Sequence, residues 1–558
     1  MDKMPFDNEK FVGYISKVTP YFSTIHFPSS TLLKKFWHYH EELTGGVVGQ
    51  YVVIEGENYG FLGKIQEIAL PEKEQVFLGE NSFYNSDFHP QGKLEILLSF
   101  NYYSDKIEKG LDRYPAVGSK VYLCSSELLK ELFLKAKDGT HEFDIAQLPD
   151  HLQTSLPLNP NDLFGRHCAI VGTTGSGKSY TIARILEEFI AKSRSKAILI
   201  DATGEYERFY NLDKVKVVKF GDPTESTFFH YSRLRVMDLV ALFRPSEGTQ
   251  KPKLIEAIKS LKLVKALQEE HNSTTDNIYA KAGTLKALYY SAYREHRQAV
   301  ESEISDFDLS NLTHQIHEEC IKSGTRTNFG DTNLSERNYV SSLISRIESI
   351  RSNRYFKTSF GFDKEANDEN EFNAQLENFL SNDSEEQLFI ISLKDASFEK
   401  GIREILVNAI GSYLLEEARD YKFKEAPIVL FLDEAHQFLK KTITDDFFND
   451  LELDAFDKIA KECRKHGLFL CISTQMPRDI PIGTLSQMGT FIVHRLINEF
   501  DRSVIEKACS EGNKNSLAYL PMLKAGEALL VSIEMPMPIM IKMKEPMIKP
   551  YSDTPKLL

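Results

Sequence analysis

GTTGSGKS, residues 172–179, lies between the apolar run CAIV (168–171) and the stretch YTIARILEEFI (180–190). After the turn, Ile182, Ala183, Ile185, Leu186, Phe189 and Ile190 recur at helical spacing. The apolar run AILID (197–201) then follows as a strand. Strand, glycine turn, helix and strand in that order predict a parallel α/β sheet. The turn fits G-x-x-x-x-G-K-[ST] at every fixed position: Gly172, Gly177, Lys178 and Ser179. Glycines let successive backbone N–H groups face inward and cradle phosphate oxygens at a helix N-terminus. Lys178 is placed to reach the β- and γ-phosphates and the Ser179 hydroxyl to ligate Mg²⁺, so Gly172, Thr173, Thr174, Gly175, Ser176, Gly177, Lys178, Ser179 and Tyr180 form the expected ATP-binding segment.

Working outward, strands resume at QLFIISL (387–393), APIVLFLDE (426–434), GLFLCIS (467–473) and TFIVHRL (490–496). Between them and AILID, residues 235–383 read as a polar helical insertion. On the N-terminal side, short strands with glycine turns, such as GQYVVIEGENYGFLGKIQEIAL and KLEILLSF, predict a small barrel or sandwich. LPDHLQTSLPLNP (148–160), with three prolines, reads as a linker. The expected organisation is an N-terminal β domain over 1–150, an α/β ATPase core over 161–234 and 384–510, the insertion over 235–383, and a C-terminal hairpin and tail over 511–558.

A phosphate loop needs an acid at the end of a buried strand. IVLFLDEAH supplies Asp433 for the metal and Glu434 to polarise the attacking water. DATGEYERF follows another strand, where Asp201 and Glu205 are placed either to face the γ-phosphate or to cap a turn. ISTQMPRD puts Thr474 and Gln475 at the sheet edge where ligands of open α/β sheets bind. Arg166, Arg464 and Arg495 lie near strand ends, and any one is a candidate to act on a neighbouring subunit's nucleotide. His314 and His317 in HQIHEEC have ligand-like spacing but no partner motif nearby, and read as solvated helix residues.

At 558 residues the chain holds several domains. No stretch has the roughly 18 uninterrupted apolar residues of a spanning helix. The start, MDKMPFDNEKF, lacks the features of an export signal. Six scattered cysteines without a CxxC pair point to a reducing cytoplasm. The formal net charge of −14 weighs against a protein that coats nucleic acid, but leaves room for a locally basic channel.

RHCAIVGTTGSGKSYT, LIDATGEYERF, VLFLDEAHQFL, RKHGLFLCISTQMPRDI, GTFIVHRLINEFDR and LPMLKAGEALLV resemble, in order and context, the motifs of HerA-type ATPases, relatives of the FtsK translocases. VGYIS and YPAVGSKVYL resemble that family's N-terminal barrel. The resemblance covers most of the chain except the insertion. It implies a RecA-like core with a β-barrel domain, a homo-hexameric ring and ATP hydrolysis at subunit interfaces, with double-stranded DNA passing through the ring. Carried over by position, Lys178 and Ser179 bind phosphate and Mg²⁺, Asp433 and Glu434 are the Walker B pair, Gln475 is the sensor, Arg464 the trans arginine, and Arg166 touches nucleotide. It also implies an effector partner: a NurA-type nuclease in end resection, or a nuclease or sirtuin-like NADase in bacterial antiphage defence. DATGEY, where the family has proline and histidine between Asp and Gly, and the long insertion favour the defence branch.

Two other enzyme classes fail on motifs. A DEAH-box helicase needs a second RecA-like domain, and no QxxGRxxR stretch follows His436; GTLSQMG is a poor match to the ABC signature LSGGQ. A non-motor alternative is a nucleotide-gated scaffold that assembles and controls an effector, which the negative charge favours.

Overall fold

The computed structural model describes the chain apart from residues 1–4, 39–40, 72–87, 102–106, 109–112, 134–141, 150, 223, 225–226, 272–276, 367, 382, 440–441, 446–447, 510–513 and 552–558. Two compact units emerge: Met1–Leu163 with Gly489–Val493 and Gly512–Lys544, and Phe164–Met488 with His494–Glu511 and Glu545–Leu558.

In the first unit, strands Phe11–Val18, Ser23–His26, Gln91–Asn101, Tyr59–Ala69, Tyr51–Glu55 and Lys120–Leu123 pair antiparallel in that order, and the last pairs back to the first. The result is a closed six-stranded barrel. Closure removes the exposed sheet edges that invite mispairing. Its interior is filled by alternate apolar residues, among them Val12, Ile25, Val52, Ile65, Leu94 and Val121, all fully buried.

The same unit holds a second antiparallel sheet. Strands His151–Leu158, Phe143–Leu148, Ile539–Met543, Glu527–Ser532 and Thr490–Val493 pair in that order. The stretch 148–160 is therefore mostly strand rather than linker. His151–Leu158 lies at the sheet's edge, where Pro157 can be accommodated without losing a ladder hydrogen bond. The expected C-terminal hairpin is present as Glu527–Ser532 and Ile539–Met543. TFIVHRL divides: Thr490–Val493 runs antiparallel in this sheet, while His494 onward belongs to the second unit.

The second unit is built on six parallel strands: β1 (Cys168–Val171), β2 (Lys196–Asp201), β3 (Val215–Lys219), β4 (Leu388–Ser392), β5 (Ile428–Leu432) and β6 (Leu468–Thr474). Their order is β1-β6-β5-β2-β4-β3. Strands buried on both faces read as continuous apolar runs, and β1, β4 and β5 are buried at every residue. Strand β3, VKVVK, was not expected; its lysines suit a sheet edge.

Helix α1 (Lys178–Lys192) follows β1 and buries Ile182, Ala183, Ile185, Leu186 and Phe189. Phe164, Phe189 and Phe431 meet with ring centroids 5.7–5.8 Å apart, fixing α1 against β5. The expected helical region lies between β3 and β4, which are hydrogen-bonded neighbours. It is thus the crossover that a parallel pair requires, enlarged into helices from Val236–Phe243 to Phe372–Leu380. This region has a small core of Leu263, Tyr289 and Val300. Beside it, buried Lys281 pairs with Glu319 at 2.6 Å and lies 4.2 Å from the Tyr289 ring centroid.

Candidate active site

The register aligns the C-terminal ends of the strands. Val171 pairs with Thr474, Leu432 with Ile472 and with Ile200, and Asp201 with Ser392. Residues just beyond these ends therefore share one sheet edge. It is there that the phosphate loop, Asp433, Glu434, Gln475 and Glu205 stand.

The loop is held from two sides. The Gly172 N–H donates to the Thr474 carbonyl (3.3 Å), and the Thr173 N–H and hydroxyl donate to the Arg495 carbonyl at 3.0 and 3.2 Å. The Ser176 hydroxyl closes the loop on the Thr173 carbonyl at 2.6 Å. A Cβ on Gly172 would come within 2.6 Å of the His494 Cβ, so only glycine fits. Gly177 caps α1 with φ 116° and no side chain caps that end. The first N–H groups of α1 are consequently available to an anion, in a positive helix-dipole field. Thr174 and Gly175 form the exposed crest, and Ser179 and Tyr180 on the first turn are half-buried.

Lys178 is buried, and its Nζ donates to the Thr173 carbonyl at 3.3 Å. Burial lowers its pKa, against the raising effect of Glu434, Asp433 and Glu205. Asp433 is buried and pushed up to about 8, by burial first and then by Glu434, Glu205 and Asp201. Glu205 is raised by burial, opposed by a hydrogen bond from Ser179. Crowded carboxylates around one lysine favour a cation. Glu205 Oε2 and Glu434 Oε2 are buried without hydrogen-bond partners, although His436 Nδ1 lies 3.3 Å from the latter. These groups fit Mg²⁺. Among the described residues no three His, Cys, Asp or Glu side chains form a self-sufficient metal cluster. That suits a cation which takes one or two protein ligands together with substrate phosphates.

Glu434 has φ 46°, a left-handed conformation uncommon outside glycine and frequent where a side chain is held for function. Its Oε1 accepts from Gln475 Nε2, and Gln475 Oε1 accepts from the Thr174 hydroxyl. A continuous hydrogen-bonded line thus runs from loop crest to acid, made possible because β6 lies between β1 and β5. Neighbouring Thr474 is buried and caps its own turn, accepting from the Met476 N–H at 3.0 Å.

Asp201 resolves toward the turn. It is buried and accepts N–H groups from Gly204 (2.8 Å), Tyr206 (3.2 Å) and Thr203 (3.3 Å). Burial still pushes it up to about 6. Glu205, not Asp201, is the acid from this segment that meets Ser179.

The three arginines separate. Arg166 and Arg464 precede β1 and β6, at the sheet edge opposite the phosphate loop. Arg464 is exposed there, and its charge helps depress His167, whose pKa is lowered to about 4 chiefly by burial. Both arginines precede their strands, at the ends away from those that carry the phosphate loop. Arg495 does lie at the loop, and its Nε is buried without a hydrogen-bond partner. Sequence reasoning missed His494 and Thr181, whose side chains meet at 2.9 Å beneath α1; the HR pair following an apolar run was the only available signal. His314 is exposed and His317 half-buried, and no metal cluster includes them among the described residues.

Residues 143–418 match the family model described as helicase HerA, central domain. A probable helicase of Methanocaldococcus jannaschii is 24% identical over 478 residues, covering 81% of this chain and 78% of that protein. A probable DNA double-strand break repair helicase HerA of the same organism is 25% identical over 454 residues, covering 76% and 80%. Among solved structures, VirB4 of Thermoanaerobacter pseudethanolicus aligns with a TM-score of 0.49 at 14% identity, covering 73% of this chain and 97% of that one.

Proposed function

We propose that the chain is a HerA-type P-loop ATPase that works as a homo-hexameric ring, on the match of residues 143–418 to the helicase HerA central-domain model and the similarity to a probable HerA helicase. The ring couples ATP hydrolysis to translocation or unwinding of double-stranded DNA, beside an effector (a nuclease or a sirtuin-like NADase) in cytoplasmic antiphage defence. The observation that carries hydrolysis is the Thr174–Gln475–Glu434 line, which ties the acid to the loop that takes the phosphates. The loop N–H groups and Lys178 bind the phosphates, Glu434 polarises the attacking water, Gln475 reports the γ-phosphate to Glu434, and Glu205 supports the same edge. Ser179 and Asp433 are the residues that would hold Mg²⁺, which neutralises phosphate charge when bound.

Support for the ring is the position of Arg464 and Arg166. They stand at the edge away from this chain's loop, as an arginine serving a neighbour would. Arg495, at the loop itself, acts in cis. Support for DNA comes from relatives named as helicases, one of them for double-strand break repair. Six buried cysteines without disulfides suit a reducing compartment, and among the described residues no helix is long and apolar enough to cross a membrane.

The test is phosphate release with and without linear duplex DNA, alongside mass measurement of the assembly. Hydrolysis by a hexamer should rise with duplex DNA. Rates that ignore DNA but rise with a co-purifying enzyme would favour the scaffold reading, which the net charge of −14 supports.

A further inference from the structure

Tyr206 has no part in the scheme above, yet its buried phenol feels the charges of Asp433, Glu205, Asp201 and Glu434. The residue is fully buried, its N–H is tied to Asp201 Oδ2 at 3.2 Å, and its ring lies 6.4 Å from that of Phe209. Its hydroxyl has no hydrogen-bond partner. A phenylalanine would fill the same space without leaving a buried donor unpaired, which is unfavourable in a folded interior. Two acceptors of the same cluster, Glu205 Oε2 and Glu434 Oε2, also accept no hydrogen bond, although His436 Nδ1 stands 3.3 Å from the latter. One donor and two acceptors that the protein leaves unsatisfied thus belong to one carboxylate site. Burial and then the charges of Asp433, Glu205, Asp201 and Glu434 push the phenol well above its ordinary pKa, so it stays a donor.

We propose that Tyr206 is a positioning residue of the metal–nucleotide site: its hydroxyl donates to the carboxylate-and-water shell around a divalent cation held by Ser179 and Asp433, and so sets the affinity for that cation. This rests on the reading of the site as one for Mg²⁺-nucleotide. Groups that orient metal ligands in this way change metal affinity by about 10–100-fold when removed.

The experiment uses the full chain and Tyr206→Phe, which keeps the ring. Thermal unfolding is followed during Mg²⁺ titration at fixed ADP, and Mn²⁺ binding is measured by electron paramagnetic resonance. Tyr206→Phe should need about 10-fold or more cation for half-maximal stabilisation. Its melting without metal should equal or exceed wild type, since an unpaired buried donor has gone. An unchanged cation midpoint would overturn the proposal. A fall in metal-free melting would also overturn it, because the hydroxyl would then already be paired within the fold. If wild-type melting with ADP ignores Mg²⁺, the metal reading of the site fails first, and this proposal fails with it.

Discussion

At the C-terminal ends of β1, β5 and β6 the chain gathers Lys178, Asp433, Glu434 and Gln475, whereas at the opposite ends of β1 and β6 it sets Arg166 and Arg464. The first edge is buried, crowded with acids and cross-bonded by side chains. At the second, Arg464 is exposed and is matched to no acid of the first edge. The seven residues of β6 separate the two by roughly 20 Å. In the proposed ring, the phosphate loop and an arginine remote from it are complementary halves. On the proposed reading, binding and water activation lie within one chain, and the cation that completes the transition state is supplied by another.

The most severe break of the first edge is Lys178→Ala, which should abolish phosphate release while far-UV circular dichroism stays unchanged, because the role proposed for Lys178 is to bind phosphate rather than to fill the apolar core. Hydrolysis near the wild-type rate would remove the loop from the mechanism. At the second edge, Arg464→Ala should slow hydrolysis by up to ~10³–10⁵, the range for an arginine acting in trans. Mixing Arg464→Ala with Lys178→Ala should recover activity, since some interfaces then pair an intact loop with an intact arginine. Proven subunit exchange without recovery would sink the trans assignment. An active pure Arg464→Ala ring would shift the role to Arg166.

Glu434→Gln should bind ATP normally yet turn over about 10²–10⁴ more slowly, the contribution of a positioned general base. Single-turnover kinetics beside equilibrium binding would check this. Normal turnover there, with a dead Glu205→Gln, would move the base to Glu205. The smallest effect is on stability. Asp433 is pushed up to about 8 when folded, against about 4 unfolded, so the folded state holds its proton more tightly. That contribution is fully present below pH ~4 and is lost as pH rises toward 8. Nucleotide-free wild type should therefore lose melting temperature across this window more steeply than Asp433→Asn. Parallel melting curves would show that Asp433 ionises as an ordinary carboxyl.

The phosphate loop is legible in the sequence because each requirement is local: an apolar strand before it, glycines where a Cβ would collide or φ is positive, and a helix period after it. Asp433 and Glu434 are legible for a similar reason, as the polar end of a wholly buried strand. Residues 148–160 mislead because three prolines look like a linker, and only pairing with Phe143–Leu148 makes His151–Leu158 a strand. VKVVK misleads because its lysines hide an edge strand whose pairing to β4 is long-range. Thr490–Val493 reads as one more strand of the ATPase core; its antiparallel pairing to Glu527–Ser532 lies in the other compact unit.

By itself the sequence pointed to the chemistry: a P-loop ATPase, with Lys178, Ser179, Asp433 and Glu434 as its expected site residues, since spacing along the chain fixes which groups a single turn presents. Tertiary structure alone decided which of several plausible neighbours share the site. It assigned Asp201 to a turn and Glu205 to the acid cluster. It inserted β6 between β1 and β5, which puts Gln475 between Thr174 and Glu434. It brought Arg495 to the loop and left Arg464 at the far edge. Strand order and the end of the sheet at which a residue stands are set by hydrogen bonds between segments hundreds of residues apart, and no local pattern encodes them.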